Sequence, residues 1–240
     1  MKIALLGYGK MGKAIEGFAI DQGDEIVLRA DNREFDISDL AKADVAIEFS
    51  TPATALENIK KCADVGVPVV VGTTAWYDDF DEAVSFVNEK NSGLFTATNF
   101  SIGVNLFWKI SSLAASVMDN YSEYEPSIDE IHHKQKLDAP SGTAITTAEK
   151  LLQSLSRKNH WIHHENGVGS DNNELELTVR SYREDNVPGT HTIKFDNAID
   201  SIEIKHTAHS REGFAKGALK AASFMVNKRG VFTMNDLLNL

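Results

Sequence analysis

Short apolar runs alternate with longer amphipathic stretches through the first hundred residues. Residues 2–6, 25–30, 45–49, 67–71 and 94–97 read as strands: each is short, largely apolar and closed by a Gly, Asp, Ser or Thr turn signal. Between them, residues 10–22, about 52–64 and about 79–91 carry the helical pattern. Strands in strict alternation with helices predict βαβ units. Right-handed crossovers then favour a Rossmann-type doubly wound parallel sheet.

The pattern changes after about residue 100. Residues 102–118 predict one long helix in which Leu106, Ile110, Leu113 and Val117 recur at helical spacing. Residues 124–132 read as extended, and 142–155 as a helix with Ser141 as its N-cap. Residues 159–173, rich in Gly, Asn and His, read as a flexible surface loop. Three strands without intervening helices follow at 174–181, 190–195 and 201–206. Leu175, Leu177 and Val179 alternate with polar residues, as do Ile202 and Ile204, which suggests an antiparallel, half-buried sheet. A last helix spans about 211–227, with small residues at Ala215, Gly217, Ala218, Ala221 and Ala222. The organisation expected is a dinucleotide-binding domain, residues 1–100 plus about 211–240, and an α+β substrate-binding and oligomerisation domain, residues 101–210.

At 240 residues the chain can bury a substantial core. Its formal charge of -11 argues against a general nucleic-acid binder, while one local basic pocket stays compatible with it. Cys62 is the only cysteine, so no intrachain disulfide forms, as expected of a cytoplasmic protein; its place in a helix suits a buried structural thiol. The apolar start is too short and too interrupted for a secretory signal, and no run approaches a membrane span of roughly 18 residues.

Gly7-Tyr8-Gly9-Lys10-Met11-Gly12 follows the first strand and opens the first helix. In a G-x-G-x-x-G turn, the first glycine permits the tight bend, the second lets backbone approach a pyrophosphate, and the third lets the helix pack on the strand. The helix start then offers N–H donors to the phosphates. Asp31 ends the second strand and suits ribose hydroxyls, which favours NADH; Arg33 could instead pair with a 2′-phosphate, so use of NADPH stays open. Gly72-Thr73-Thr74 and Ala97-Thr98-Asn99-Phe100 each follow a predicted parallel strand, at the end where ligands of this fold lie. Asn99 is a candidate for the nicotinamide carboxamide.

The most chemically loaded stretch runs from Glu130 to Ala144 and holds His132, His133, Lys134, Lys136, Asp138, Ser141, Gly142 and Thr143. Side chains of His132 and His133 face opposite ways in a strand and can share a cleft only if the strand ends there; in a helix His132 and Lys136 would share a face. Histidine suits proton delivery near neutrality. Lysine offers a point charge for a carboxylate, and Gly142 and Thr143 offer backbone N–H groups at a helix start. Together these groups suit a small dianion beside a hydride donor. A metal site from His132, His133 and Asp138, or from His160, His163 and His164, lacks a recognised ligand spacing, and no metal is expected.

The run Glu130-x-His132-His133-x-x-Lys136-x-Asp138-x-Pro140-Ser141-Gly142-Thr143-Ala144 resembles the signature of the dihydrodipicolinate reductases (4-hydroxy-tetrahydrodipicolinate reductases) of bacterial lysine and diaminopimelate biosynthesis. Gly7–Gly12, Gly72-Thr73-Thr74, the Asn99–Asn105 segment, Val187-Pro188-Gly189-Thr190-His191 and His206–Arg211 match in order, so the resemblance covers nearly the whole chain. It departs at Ala75, where a glycine is common, and at Asp31-Asn32, where an acid–arginine pair is common; the latter bears on cofactor preference. The resemblance implies NAD(P)H-dependent reduction of a cyclic imine dicarboxylate, with His132 as proton donor and Lys136 as a second catalytic cation. It implies substrate binding by His133, Ser141, Gly142 and Thr143, and a homotetramer built through the substrate-domain sheets. Another two-domain NAD-dependent reductase or amino-acid dehydrogenase explains the first hundred residues equally well, and a rival of a different class is a non-catalytic redox sensor that binds NADH and a partner protein. Only the Glu130–Ala144 motif separates the first from the reading above, and the sensor has no need of His132 and Lys136 together.

Overall fold

The computed structural model describes residues 1–31, 35–169 and 173–240. The chain forms two compact units, Met1–Ser101 with Glu212–Leu240, and Ile102–Arg211. The first contains β1 (Lys2–Leu6), α1 (Lys10–Asp21), β2 (Glu25–Ala30), α2 (Ile37–Leu40), β3 (Val45–Glu48), α3 (Pro52–Asp64), β4 (Val69–Val71), α4 (Phe80–Glu89) and β5 (Gly93–Thr96). The second contains α5 (Ile102–Met118), β6 (Glu125–His132), α6 (Gly142–Leu152), β7 (His160–Glu165), β8 (Glu176–Arg183), β9 (Gly189–Asp196) and β10 (Ser201–Ala208). The chain then returns to the first unit as α7 (Glu212–Met225), β11 (Gly230–Phe232) and α8 (Met234–Leu238).

In the first unit every strand pair is parallel, in the order β11-β5-β4-β3-β1-β2. Its strands are apolar on both faces because helices cover both, and Ile3, Leu5, Leu6, Ile47, Val70 and Phe95 are fully buried. Local signals set the helix starts. Thr51 and Thr54 form a reciprocal capping box ahead of Pro52, whose missing N–H costs nothing at a first helical position. The small residues of α7 let it lie close on the sheet, where Ala215, Ala218, Ala221 and Ala222 are buried. Cys62 is fully buried in α3, and burial pushes its thiol above the ordinary range, consistent with an inert packing residue.

The second unit is a five-stranded sheet, β10-β9-β6-β8-β7, with α5 and α6 on one face. It is mixed: β10/β9 and β9/β6 are antiparallel, whereas β6/β8 and β8/β7 are parallel. The expected antiparallel sheet is therefore corrected, because alternation along a strand reports which face is buried and not the direction of its neighbours. Residues 160–165, expected in a loop, form the edge strand β7. Their backbone hydrogen bonds to β8 outweigh a polar composition, as edge strands tolerate. The row Leu106, Ile110, Leu113 and Val117 marks the α5 helix without marking its core face. These four are 40–60% exposed, and Val104, Phe107, Trp108, Ser111, Ala115 and Met118 point into the core instead. Short β11, α2 and α8 went unread, since three to five residues carry too little periodicity to register.

Candidate active site

In the first unit the strand order reverses between β1 and β3, which opens a crevice at their carboxyl ends. The chain leaves β1 at Gly7, with φ +97° and its N–H donating to the Ala30 carbonyl at 2.8 Å. A Cβ on Gly7 would stand 2.1 Å from the Phe49 carbonyl oxygen, and one on Gly12 would stand 2.3 Å from that of Gly7. Gly9 caps α1 in extended conformation with no side-chain cap, no acidic residue follows in the first turn, and a Cβ there would meet nothing within 4 Å. The first-turn N–H groups of α1 therefore have no intrahelical acceptor and no competing carboxylate, an arrangement that fits a dinucleotide phosphate.

Beside that turn lies a cavity of about 280 Å³, lined among others by Met11, Phe49, Ser50, Gly72, Thr73 and Thr74. Lys10 is exposed at the helix start, and the Tyr8 hydroxyl is already hydrogen-bonded to Glu16, which pairs in turn with Arg29. Asp31 follows β2, whose Ala30 pairs with Leu6, so Asp31 stands exposed next to the glycine turn; Arg33 lies outside the described residues. Ala97-Thr98-Asn99-Phe100 follows β5. There the Asn99 side-chain oxygen accepts from the Ser101 N–H at 2.9 Å, and Phe100 packs between the rings of Phe49 and Phe95 at 5.6 and 6.0 Å. Sequence reasoning passed over Glu48, a fully buried carboxylate beneath the crevice. Burial raises its pKa against hydrogen bonds led by Ser50.

In the second unit β6 ends at His132, and the Lys136 N–H closes a turn on the His133 carbonyl at 3.0 Å. The helical alternative is thereby excluded: His132 ends a strand, and Lys136 sits in the loop beyond. His132 is buried, with Nδ1 2.9 Å from Oε2 of Glu130. His133 Nε2 lies 3.2 Å from an Arg211 guanidinium nitrogen, beside a cavity of about 460 Å³ that Lys134, Asp185, Pro188 and Ser210 also line. The Lys136 ammonium donates to both carboxylate oxygens of Asp138 at 2.7 and 2.8 Å. Ser141 caps α6, its hydroxyl accepting from the Ala144 N–H at 3.2 Å, while its own N–H donates to Glu130 at 3.2 Å. Of the helix-start groups, Gly142 and Thr143 follow directly, where N–H groups lack intrahelical acceptors.

Glu130, His191 and Arg211 stand in the sequence motifs without an assigned role, and Arg183 stands outside them; the fold brings all four to this end of the sheet. Burial alone would raise the Glu130 pKa. Hydrogen bonds from His132, Ser141 and Ser181 outweigh burial and hold its carboxyl well below the usual carboxylate range. His191, the cross-strand partner of Glu130, sets its ring 5.2 Å from that of His132, edge to face. Burial, and then proximity to His132, depresses its pKa to about 3, so it stays neutral in the fold. The polar charge pattern that would have flagged these groups exists only once β6, β8 and β9 are laid side by side. His163, on β7 and not in a loop, donates from Nε2 to the Ser181 hydroxyl at 3.0 Å, because that hydroxyl spends its own hydrogen on Glu130.

The His191 environment carries a stability consequence. An unfolded histidine titrates at about 6.5. Below that pH the unfolded chain binds a proton the fold refuses, so stability falls from pH 6.5 towards about 3, by up to about 1.4 kcal/mol per pH unit. Urea unfolding of His191→Asn should therefore lose less stability between pH 7 and pH 5 than the parent does. An equal or steeper loss in the variant would remove His191 from the acid limb.

Comparison with known proteins places these features in a family. Residues 1–100 match the family model described as dihydrodipicolinate reductase, N-terminus, and residues 103–238 match that described as dihydrodipicolinate reductase, C-terminus. A 4-hydroxy-tetrahydrodipicolinate reductase from Christiangramia forsetii is 44% identical over 241 residues, covering 100% of this chain and 98% of that protein. The dipicolinate-bound dihydrodipicolinate reductase from Paenisporosarcina sp. TG-14 superimposes with a TM-score of 0.80 at 23% identity, covering 98% of each chain. The DAP dehydrogenase of C. glutamicum, solved with DAP, shares the fold at a TM-score of 0.51 and 16% identity, covering 97% of this chain and 92% of its own.

Proposed function

Since the chain belongs to the dihydrodipicolinate reductase family, we propose that it is a 4-hydroxy-tetrahydrodipicolinate reductase, an oxidoreductase of lysine and diaminopimelate biosynthesis that reduces a cyclic imine dicarboxylate with NAD(P)H. The observation that carries this reading is the Glu130–Thr143 cluster, which gathers a buried histidine, a lysine and a helix start on one unit. Gly7, Gly9 and Gly12 would hold the pyrophosphate on the α1 N-terminus, Asp31 the ribose, and the turns after β4 and β5 the nicotinamide end. When bound, the nicotinamide supplies the hydride. His132 supplies the proton, and Lys136, His133 and the Gly142 and Thr143 N–H groups receive the carboxylates.

Glu130, His132 and His191 also bring ligand atoms within 4.8 Å of one another. Arg183, 3.3 Å from the Glu130 carboxylate, already supplies that site's cation, so we read the cluster as proton-handling and not as a metal centre. Among the described residues no helix is long and apolar enough to cross a membrane. A cytoplasmic homotetramer, joined through the second-unit sheets, completes the proposal.

The direct test couples the protein to the upstream synthase with pyruvate and aspartate-semialdehyde, and follows NADH and NADPH oxidation. Dicarboxylate-dependent oxidation is expected, with NADH giving a kcat/KM at least equal to that of NADPH because an acidic residue, Asp31, closes the second strand, the position suited to ribose hydroxyls. Cofactor binding without turnover would favour a sensor, and turnover of simple 2-oxo acids alone would favour another dehydrogenase. Lys136→Ala should raise KM for the dicarboxylate and lower kcat, since removing a charge-assisted hydrogen bond to a bound carboxylate costs about tenfold or more. An unchanged KM would contradict its carboxylate role.

A further inference from the structure

We propose that Glu130 is the positioning residue for His132: its carboxylate accepts the Nδ1 hydrogen, which leaves Nε2 as the nitrogen that exchanges a proton with substrate. This rests on the reading of His132 as the proton donor, and it deepens that reading by assigning the tautomer and the group that sets it.

The geometry of the carboxylate is asymmetric. Oε1 accepts from the Ser141 N–H at 3.2 Å, from the Ser181 hydroxyl at 2.7 Å and from both terminal nitrogens of Arg183 at 3.3 Å. Oε2 lies 2.9 Å from His132 Nδ1; the contact is off the regular hydrogen-bond angle, and neither of these two buried atoms has any other partner, so each is left to the other. The donors on Oε1 fix the carboxylate plane, so Oε2 holds its place before any ligand arrives. A carboxylate oxygen only accepts, so the ring nitrogen facing it must carry hydrogen. His191 stands edge-on to the His132 ring at 5.2 Å and limits its rotation. The backbone of Gly189 leaves room at Nε2, where an added Cβ would come within 3.0 Å. A side chain at this position would crowd that edge of the imidazole.

The same network reaches the lysine loop. Arg183 also donates to the Asp138 carbonyl at 2.7 Å and the Lys136 carbonyl at 3.4 Å, and the Glu184 N–H donates to the His132 carbonyl at 2.8 Å. One buried carboxylate thus orients the imidazole directly and, through a guanidinium, the loop that carries the ammonium.

Glu130→Gln is nearly isosteric and makes the test sharp. Ser141, Ser181 and Arg183 all donate at the Oε1 position, so they draw the amide oxygen there and leave the amide NH2 facing Nδ1. The parent donates as the imidazolium, which takes its second proton at Nε2 while the carboxylate holds Nδ1–H, and returns to the Nδ1–H tautomer once Nε2 has given that proton to substrate. An N–H against Nδ1 drives the single ring hydrogen to Nε2 and blocks protonation at Nδ1, so the imidazolium does not form. Solid-state spectra of protein labelled with 15N-histidine, with His132 assigned by subtracting His132→Gln, should show neutral His132 protonated at Nδ1 in the parent and at Nε2 in Glu130→Gln. Kinetics of the same variant should show kcat reduced about 100-fold or more, with KM for NADH and for the dicarboxylate within about threefold.

A parent His132 protonated at Nε2 overturns the proposal, and this measurement requires neither activity nor a folded Glu130 variant. So does a Glu130→Gln protein whose kcat stays within twofold of the parent, or one that loses kcat with its tautomer unchanged, since that would be a structural role only. Full activity in His132→Gln is a different outcome: it removes the proton-donor reading while the parent spectrum still reports whether Glu130 sets the tautomer.

Discussion

His132→Gln is expected to lower kcat by about 100- to 10,000-fold while KM for NADH and for the dicarboxylate changes by no more than about threefold, the signature of a lost general acid. Three features concentrate the effect on this residue. The ring is buried, its Nδ1 is engaged by a carboxylate whose other oxygen is fully committed, and its Nε2 edge faces the open backbone of Gly189. Glutamine keeps polarity and rough length but offers no group that exchanges a proton near neutrality. Steady-state assays across pH decide the matter. A kcat within twofold of the parent would take His132 out of the mechanism, and an equal rise in both KM values without loss of kcat would reassign it to binding.

Gly7→Ala should be among the costliest single methyl additions in the first unit. The position holds φ +97°, and the new Cβ would lie 2.1 Å from the Phe49 carbonyl oxygen, a backbone atom at the end of β3 that cannot swing aside. Strain at such a position costs about 1–3 kcal/mol before any overlap is counted. A total of about 3 kcal/mol or more corresponds to a fall of roughly 6–12 °C in Tm for a chain of this size. The same displacement would splay β1 from β3 at the crevice where strand order reverses, so weaker NADH binding should accompany it. Differential scanning calorimetry and fluorescence titration with NADH read the two effects separately. A Tm within about 2 °C of the parent would show that the turn relaxes in a way its geometry does not suggest.

Much of the first unit was legible because its determinants are local. The glycine turn, the Thr51-Pro52 helix start and the apolar strands each declare themselves within a few residues, and the crossover rule supplies the rest. The second unit was less legible for a reason visible at β7. Residues 160–165 form a strand only because β8 is alongside to pair with them, and nothing in His160-Trp-Ile-His-His-Glu165 announces that neighbour. Likewise, Leu106, Ile110, Leu113 and Val117 establish a helix, but the sheet beneath α5 decides that Phe107 and Trp108 face inward.

The chain's own order determined which groups are available for chemistry: a phosphate-binding turn at Gly7–Gly12, and an imidazole, an ammonium and a helix start between His132 and Thr143. Tertiary structure alone decided how those groups are tuned. Glu130, Ser181, Arg183 and His191 come from three different strands separated by up to 61 positions, and they meet only through the β6, β8 and β9 pairings. Periodicity and motif spacing report what lies within a few residues along the chain. Orientation and charge at His132 depend on contacts across strands, where sequence distance carries no information about proximity.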